Sequence, residues 1–242
     1  MYGFVGTLVA TIVLTLGIIT PAKAQEDICY DLTRKNIRSL SEIEPCTRDI
    51  NSGRLKGQEL ARAYLNRGIV HEDIQDFDRA FADYDTAIRI NPKYAYAYVN
   101  RGDIHERRGN RPLAFDDFAT ALRLEPNDAN NWNVRCWALV RANIELNQAL
   151  SDCNRAIEIN SKSAVFFKNR GMVHFRLGNY QQAIADLDVA LGISPRMSNS
   201  LYLRGLSKLK IGNASGGDAD IAAAKSIRPG IVAEYAGYGI RP

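Results

Sequence analysis

The feature that most constrains this chain is a set of residues that recurs every 34 positions. Gly68 and Gly102 are one such interval apart, and so are Gly171 and Gly205. The prolines that follow each unit repeat the spacing, at Pro92, Pro126, Pro195 and Pro229. A fixed period of this length is typical of a solenoid, because one short unit cannot bury its apolar face alone and must stack on its neighbours.

The unit at 94–126 contains two helical patterns separated by a polar turn at 109–112. In the second pattern, Ala114, Phe118, Ala121 and Leu122 fall at i, i+4, i+7 and i+8. That spacing places all four side chains on one face of an α-helix. The sequence therefore predicts an all-α protein built from helix hairpins.

One unit departs from the period. The interval from Gly102 to Gly171 is one position longer than two periods, so a further copy with one extra residue lies between them. In this copy Cys136 takes the glycine position, and Ala149, Cys153 and Ala156 mark the second helix. We predict that the extra residue lies between Cys136 and Ala149, at the turn of the hairpin or in the helix ends beside it.

Together these residues resemble the tetratricopeptide repeat (TPR), which combines large, small and proline residues at set positions. The first copy matches throughout, with Tyr64, Gly68, Ala80, Tyr84, Ala87 and Pro92. The resemblance implies a right-handed superhelical α-solenoid of about five TPR helix hairpins. Their approximate bounds are 61–94, 95–128, 129–163, 164–197 and 198–231.

Four segments follow from this organisation: a signal peptide at 1–24, an N-terminal cap at 25–57, the TPR array at 58–229 and a C-terminal capping helix and tail at 230–242. In the cap, 41–46 resembles a helix start and 51–53 a helix end. Because Cys46 precedes Ala80 by one full period, we predict that this helix is the second helix of a half-repeat. Ile231, Val232 and Tyr235 predict a short capping helix that ends near Gly237.

The first 24 residues are typical of a secretory leader. Residues 4–19 are apolar apart from threonines and glycines, and Ala22, Lys23 and Ala24 form a cleavage signal. We therefore predict a periplasmic or secreted protein. The alternative is an uncleaved anchor that faces the periplasm, because about 20 apolar residues can span a bilayer.

Four cysteines behind a leader favour disulfides, since exported proteins meet an oxidising environment. Local pairing predicts Cys29–Cys46 in the cap and Cys136–Cys153 within the third repeat. The alternative is buried free thiols, because cysteine also fits a position that requires a small side chain.

The resemblance also implies a concave groove lined by the first helix of each hairpin. Asparagines recur at one groove position, and an amide can bond a peptide backbone through both its donor and its acceptor. Arginines at 107, 141 and 176 predict positive charge along one edge, which suits an extended peptide with some acidic residues. The alternative is solvated helix faces. The candidate groove residues are Arg62, Asn66, Tyr96, Asn100, Asp103, Asn133, Trp137, Arg141, Lys168, Asn169, Arg176 and Tyr202.

Two other recurring residue types predict structural roles. An arginine follows one residue after the asparagine position, at 67, 101, 135, 170 and 204, and we expect its stem to cover the adjoining hairpin while the guanidinium binds a carboxylate or carbonyl. The three histidines, His71, His105 and His174, each lie three residues after a glycine of the repeat. That regular position predicts packing between helices.

Nothing in the sequence points to catalysis. The histidines lie in separate hairpins, the cysteines are too far apart for metal-ligand pairs, and no glycine-rich phosphate loop is present. The net charge of +4 is too small to indicate nucleic acid. We therefore expect no enzymatic activity and no cofactor or metal. The prediction is an exported adaptor that binds a protein or peptide in the groove; the alternative is a structural subunit of a cell-envelope assembly that uses its outer faces or self-association.

Overall fold

The computed structural model describes residues 43–241, and this part contains twelve α-helices and no strand. Residues 1–24, the predicted leader, lie outside the described residues, as does Cys29. The helices are α1 Ile43–Asn51, α2 Gly57–Asp73, α3 Phe77–Ile90, α4 Ala95–Arg107, α5 Arg111–Leu124, α6 Ala129–Ala142, α7 Leu146–Ile159, α8 Ala164–Arg176, α9 Tyr180–Ile193, α10 Ser198–Lys210, α11 Ala214–Ile227 and α12 Ile231–Gly237.

Helices α2 to α11 form five hairpins, each made of two consecutive helices, and the second helix of each hairpin packs on the first helix of the next. Helix α1 packs on α2 as a lone second helix, so the predicted half-repeat is present. Helix α12 packs on α10 and α11 at the other end. The predicted all-α solenoid, with its N-terminal half-repeat and its C-terminal capping helix, is therefore confirmed.

Four of the five hairpins close where the recurring glycine meets a large side chain of the second helix. A Cβ atom on Gly68 would lie 2.6 Å from the ring of Tyr84, and one on Gly102 would lie 2.6 Å from Phe118. Real Cβ atoms do not approach carbon this closely, so only glycine allows the two helices to pack at this distance. The periodic recurrence of glycine is thus a packing requirement.

The third hairpin replaces this contact with a covalent bond. Cys136 stands at the glycine position and Cys153 at the position of the large residue, and they form a disulfide with a Cα–Cα distance of 5.5 Å. This confirms the predicted pair. Cys46 is buried and is also disulfide-bonded, but its predicted partner Cys29 lies outside the described residues.

The extra residue of the third hairpin lies where the spacing predicts it. Helix α6 has 14 residues, whereas α4 and α8 have 13 each. The turn after α6 holds two residues with positive φ, Asn143 at 57° and Glu145 at 44°. Each of the other hairpin turns holds only one, at Gln75, Gly109, Gly178 or Gly212. The insertion thus lengthens the helix by one residue and changes the conformation of the turn.

The five recurring arginines join the two helices of each hairpin. Each guanidinium donates from Nε and Nη2 to both carboxylate oxygens of one aspartate on the second helix, at 2.6–2.9 Å. Such two-pronged contacts fix geometry as well as adding free energy. The predicted structural role is confirmed. The pairs are Arg67–Asp83, Arg101–Asp117, Arg135–Asp152, Arg170–Asp186 and Arg204–Asp220.

The same arginines also reach the preceding second helix through Nη1. Arg101 donates to Asp85 at 2.9 Å, Arg170 to Asn154 at 2.9 Å and Arg204 to Asp188 at 2.7 Å. Arg67 makes the equivalent bond to Thr47 of α1 at 3.2 Å. Among the described residues, Arg135 makes no such bond, because Ala119 occupies the corresponding position of α5.

The histidines pack between helices, as their spacing predicts. Nε2 of His71 lies 3.9 Å from Asp83, and Nε2 of His174 lies 3.9 Å from Asp186. The ring of His105 contacts Phe81 edge to face, with the centroids 5.1 Å apart. Burial lowers the pKa of all three imidazoles, and that of His71 is further lowered by Arg67 and Arg79 against the opposing effect of Asp83 and Asp76.

Within residues 43–241, no helix is both long enough and apolar enough to cross a membrane. The same part of the chain contains no cluster of three or more histidine, cysteine or acidic side chains that could hold a metal ion.

Candidate functional site

The concave surface is lined by the first helices of the five hairpins, α2, α4, α6, α8 and α10, and each of these helices contacts the next in the series. All twelve candidate groove residues lie on these helices. The structure divides the surface into two regions. We call the region over α2 and α4 the open half, and the region over α6, α8 and α10 the covered half.

The covered half is occupied by the chain's own C-terminal tail, residues 231–241. After α12 the backbone reverses at Gly239, which has φ +73°, and the amide of Ile240 donates to the carbonyl of Tyr235 at 2.9 Å. A positive φ is accessible to glycine without strain. Ile231, Tyr235 and Ile240 are buried by this arrangement.

The tail contacts the first helices of three successive hairpins. The ring of Tyr235 lies 5.0 Å from that of Tyr202 on α10, and the ring of Tyr238 lies 5.9 Å from that of Trp137 on α6. Nη2 of Arg176 on α8 donates to the carbonyl oxygen of Tyr238 at 2.6 Å. The structure therefore brings these three candidate groove residues together, but against the chain itself.

Lys168 completes the covered half. Its Nζ lies 4.3 Å from the centroid of the Trp137 ring, which is a cation–π distance. Burial lowers the pKa of this lysine to about 8; Glu234 of the tail opposes the effect and Arg228 adds to it. The ammonium group is thus enclosed by an aromatic ring and by the charges around the tail.

Two of the candidate asparagines bind each other. Nδ2 of Asn169 on α8 donates to Oδ1 of Asn133 on α6 at 2.7 Å, and Asn169 is buried. This bond joins two neighbouring first helices. The pair therefore has a structural role that the asparagine spacing does not reveal.

The open half is centred on Asn100 and Asp103, which lie three residues apart on α4 and hence on the same face. Both side chains are half-buried. Neither makes a hydrogen bond or ion pair with any other described residue. Burial raises the pKa of Asp103 to about 7, with further contributions from Glu72 and Glu106; Arg141 and Arg107 oppose the rise.

Two of the three arginines of the expected positive edge form ion pairs with glutamates. Nη2 of Arg107 lies 3.6 Å from Oε1 of Glu72, and Arg141 forms an ion pair with Glu106. Glu72 is also held by the hydroxyl of Tyr84, which donates to it at 2.9 Å. In this region Asp103 has no ion-pair partner among the described residues, whereas Arg107 and Arg141 are paired with glutamates.

The remaining candidates lie at the margins of the open half. Tyr96 is 44% exposed, and its hydroxyl donates to Asp128 at 2.9 Å. Asn66 is buried, whereas Arg62 is half-buried; both lie on α2. Of these three candidates at the edge of the open half, Tyr96 therefore has the largest fraction of its surface accessible to a ligand.

Sequence reasoning missed four residues that shape the site. Glu72 and Glu106 are themselves separated by one repeat period, so the period could have identified them as partners of the groove arginines. Tyr235 was expected only to cap the last hairpin, and Tyr238 was not singled out. The residues after α12 have no counterpart in the other repeats. Their contacts with α6 and α8 therefore could not be predicted from the period.

Comparisons with known proteins agree with this geometry. Two family models, each described as tetratricopeptide repeat, match residues 61–94 and 169–197. A search of the curated proteins finds no match.

Solved structures share the fold at low sequence identity. YrrB, a TPR protein with an unusual peptide-binding site, is 20% identical over 82% of this chain and 100% of that one, with a TM-score of 0.58. PilW, a widely conserved type IV pilus biogenesis factor, is 20% identical over 70% of this chain and 78% of that one, with a TM-score of 0.66. A TPR protein from Parabacteroides merdae is 19% identical over 86% of this chain and 84% of that one, with a TM-score of 0.64. The two matched repeats, the glycine contacts and the stacked hairpins support a tetratricopeptide-repeat protein, and the solved structures share its fold.

Proposed function

We propose that this protein is a non-catalytic adaptor that binds a segment of another protein on its concave surface. A TPR fold supports a role in protein–protein interaction, as an adaptor or scaffold. YrrB, which shares the fold, has a peptide-binding site. The stacked hairpins offer a partner a surface already ordered before binding, which lowers the entropic cost of association.

The observation that carries the proposal is the pair Asn100 and Asp103. Both side chains are only partly buried and have no hydrogen-bond partner among the described residues, so their polar atoms are available to a ligand. An extended peptide can donate to and accept from the Asn100 amide through its backbone. Since Asp103 is a carboxylate without an ion pair, the segment should carry a lysine, an arginine or a free amino terminus opposite it.

We also propose that the protein is exported to an oxidising compartment. The Cys136–Cys153 disulfide supports this, because disulfides persist outside the reducing cytosol. The apolar residues 4–19 and the cleavage signal at 22–24 support it independently. The intact mass of the exported protein provides the test: retention of residues 1–24 would contradict cleavage and favour a membrane anchor.

The binding proposal is tested by affinity capture from an envelope extract with the Asn100→Ala/Asp103→Asn double variant. The expected result is at least a tenfold loss of the partner, which corresponds to about 1.4 kcal/mol. Lys225→Ala, at an exposed position on α11, is the matched control and should retain the partner. Circular dichroism establishes that both variants are folded. If the double variant captures every protein that the wild type captures, the open half is not the binding surface, and the structural-subunit alternative is favoured.

A further inference from the structure

The covered half and the C-terminal tail have the properties of a binding site and its ligand. The tail supplies two aromatic rings and a backbone carbonyl. The groove supplies Tyr202 and Trp137 for the rings and Arg176 for the carbonyl. These groove residues come from three separate first helices. The groove therefore binds the tail with the kinds of contact that it would make with a peptide from another protein.

Helix α12 begins near the position expected for the first helix of a further repeat, but it is much shorter than such a helix. It begins at Ile231, one position short of a full period after Ser198, the first residue of α10, and therefore lies close to the phase of the next first helix. It contains only seven residues, whereas α10 contains 13. A helix of two turns is not stable alone in water. The order of the tail thus depends on its contacts with the array.

The contact between tail and groove is imperfectly satisfied. The hydroxyls of Tyr202 and Tyr235 are buried and have no hydrogen-bond partner among the described residues. The Nε of Arg176 is also buried without a hydrogen-bond partner among the described residues, although the Nη2 of the same side chain donates to the tail. Buried polar atoms left without partners cost free energy. All three atoms belong to side chains that form this contact, so the tail is held less tightly than its buried area alone suggests.

We propose that the tail is an intramolecular ligand of the covered half, and that a partner segment with two aromatic residues three apart displaces it. The tail defines this chemistry through Tyr235 and Tyr238. A segment that also brings an acceptor to the unsatisfied hydroxyl of Tyr202 binds better than the tail does. The inference rests on the proposed use of the concave surface, but it concerns α6, α8 and α10 rather than the pair on α4.

The test uses the full chain with Trp132→Phe, which leaves Trp137 as the one tryptophan of a chain that has two. The probe is a fluorescein-labelled peptide of residues 230–242, GIVAEYAGYGIRP. A second protein adds Tyr238→Ala, which removes the ring from Trp137 but leaves the buried residues of α12 in place. Peptide affinity is measured by anisotropy, and Trp137 emission reports displacement of the tail.

The peptide should bind the Tyr238→Ala protein at least tenfold more tightly than the parent, because the competing tail is weakened. Saturating peptide should also change Trp137 emission in the parent. A control peptide with both tyrosines changed to alanine should bind neither protein. Equal affinity for both proteins, or no binding to either, overturns the proposal. A concentration-dependent dimer of the parent would also overturn it, because the tail would then be exchanged between copies.

The Asn100→Ala/Asp103→Asn variant separates this inference from the proposed function. If it loses its extract partner but binds the peptide as the parent does, the two surfaces act independently. If the peptide fails to bind any variant while the extract partner is still lost, the intramolecular ligand is rejected and the proposed function stands.

Discussion

The two halves of the concave surface are built on the same repeat but differ in chemistry and in occupancy. The open half is polar, with Asn100 and Asp103 without partners among the described residues. The covered half is aromatic, with Trp137 and Tyr202 packed beneath the tail. The position after the recurring small residue holds Asp103 in one half and Trp137 in the other. Repeat phase thus determines which positions face the groove, and side-chain identity determines what each region binds.

The largest effect should come from removing the ring that anchors the tail. Tyr235→Ala deletes a fully buried side chain, and we expect a loss of about 3–5 kcal/mol in the free energy of unfolding, the cost of a large-to-small change in a core. Tyr96→Ala in the open half is the matched control, since that side chain is 44% exposed, and it should cost less than about 1 kcal/mol. Urea unfolding measures both. Similar losses for the two variants would mean that the halves do not differ in occupancy.

The next effect concerns the disulfide on which the covered half is built. Cys136→Ala/Cys153→Ala should lower the free energy of unfolding by about 3 kcal/mol, the chain-entropy value for a loop of this size. Cys136→Gly/Cys153→Leu reproduces the pair found at Gly171 and Leu187, and it should recover part of the loss. Chemical denaturation measures all three proteins. If the glycine–leucine pair is no better than two alanines, the two kinds of contact are not equivalent.

The next effect depends on pH and comes from Asp103 in the open half. The pKa of Asp103 is about 7 in the folded protein and ordinary in the unfolded chain, so folding favours the protonated form. Its contribution to stability is therefore greatest at low pH and is lost as the pH rises from the ordinary carboxyl range through the folded pKa. Asp103→Asn should stabilise the protein at pH 8 by about 1 kcal/mol after allowance for solvent screening, and by less at pH 5.

Unfolding curves of the wild type and Asp103→Asn at the two pH values provide the measurement. Asp218→Asn changes an exposed carboxyl on α11 and serves as the matched acid-to-amide control, which should change the free energy of unfolding by less than about 0.5 kcal/mol. An Asp103→Asn effect that is the same at pH 5 and pH 8 would contradict the raised pKa.

The smallest effect should come from the charge that the tail brings to the covered half. Glu234→Gln removes an ion pair with Arg228 at 2.7 Å, and a pair of this exposure contributes about 0.2–1 kcal/mol. Because Glu234 raises the pKa of Lys168, the same change should lower that pKa further below its present value. An NMR titration of the lysine side chain measures the shift. An unchanged lysine pKa would place Glu234 too far away to act on the groove.

The repeat itself was predictable from sequence because close packing imposes it. Gly102 must recur since any larger residue would meet Phe118, and the arginine–aspartate pairs recur since each holds one hairpin closed. The extra residue after Cys136 was also predictable, because it shifts a regular period by one.

The bonding partners of the groove residues were not predictable from the sequence, because these contacts do not recur from one repeat to the next. Arg176 was expected to present positive charge to a ligand, but it donates to the carbonyl of Tyr238, far along the chain. Asn169 was expected to bind a peptide backbone, but it bonds Asn133 on the neighbouring helix. In both cases the repeat correctly placed the side chain on the concave surface, and a local partner absent from the repeat determined its bond.

The missing bond of Arg135 has a mechanical consequence. At the other joints between hairpins an arginine spans the seam, but between α5 and α6 Ala119 offers it no acceptor. Within the described part of the chain, this seam lacks the arginine bond to the preceding second helix and is joined instead on the concave side by the Arg141–Glu106 ion pair between α4 and α6, so bending should concentrate between α5 and α6. It lies at the border of the open and covered halves, and a hinge at this place would let one half swing against the other while each keeps its shape.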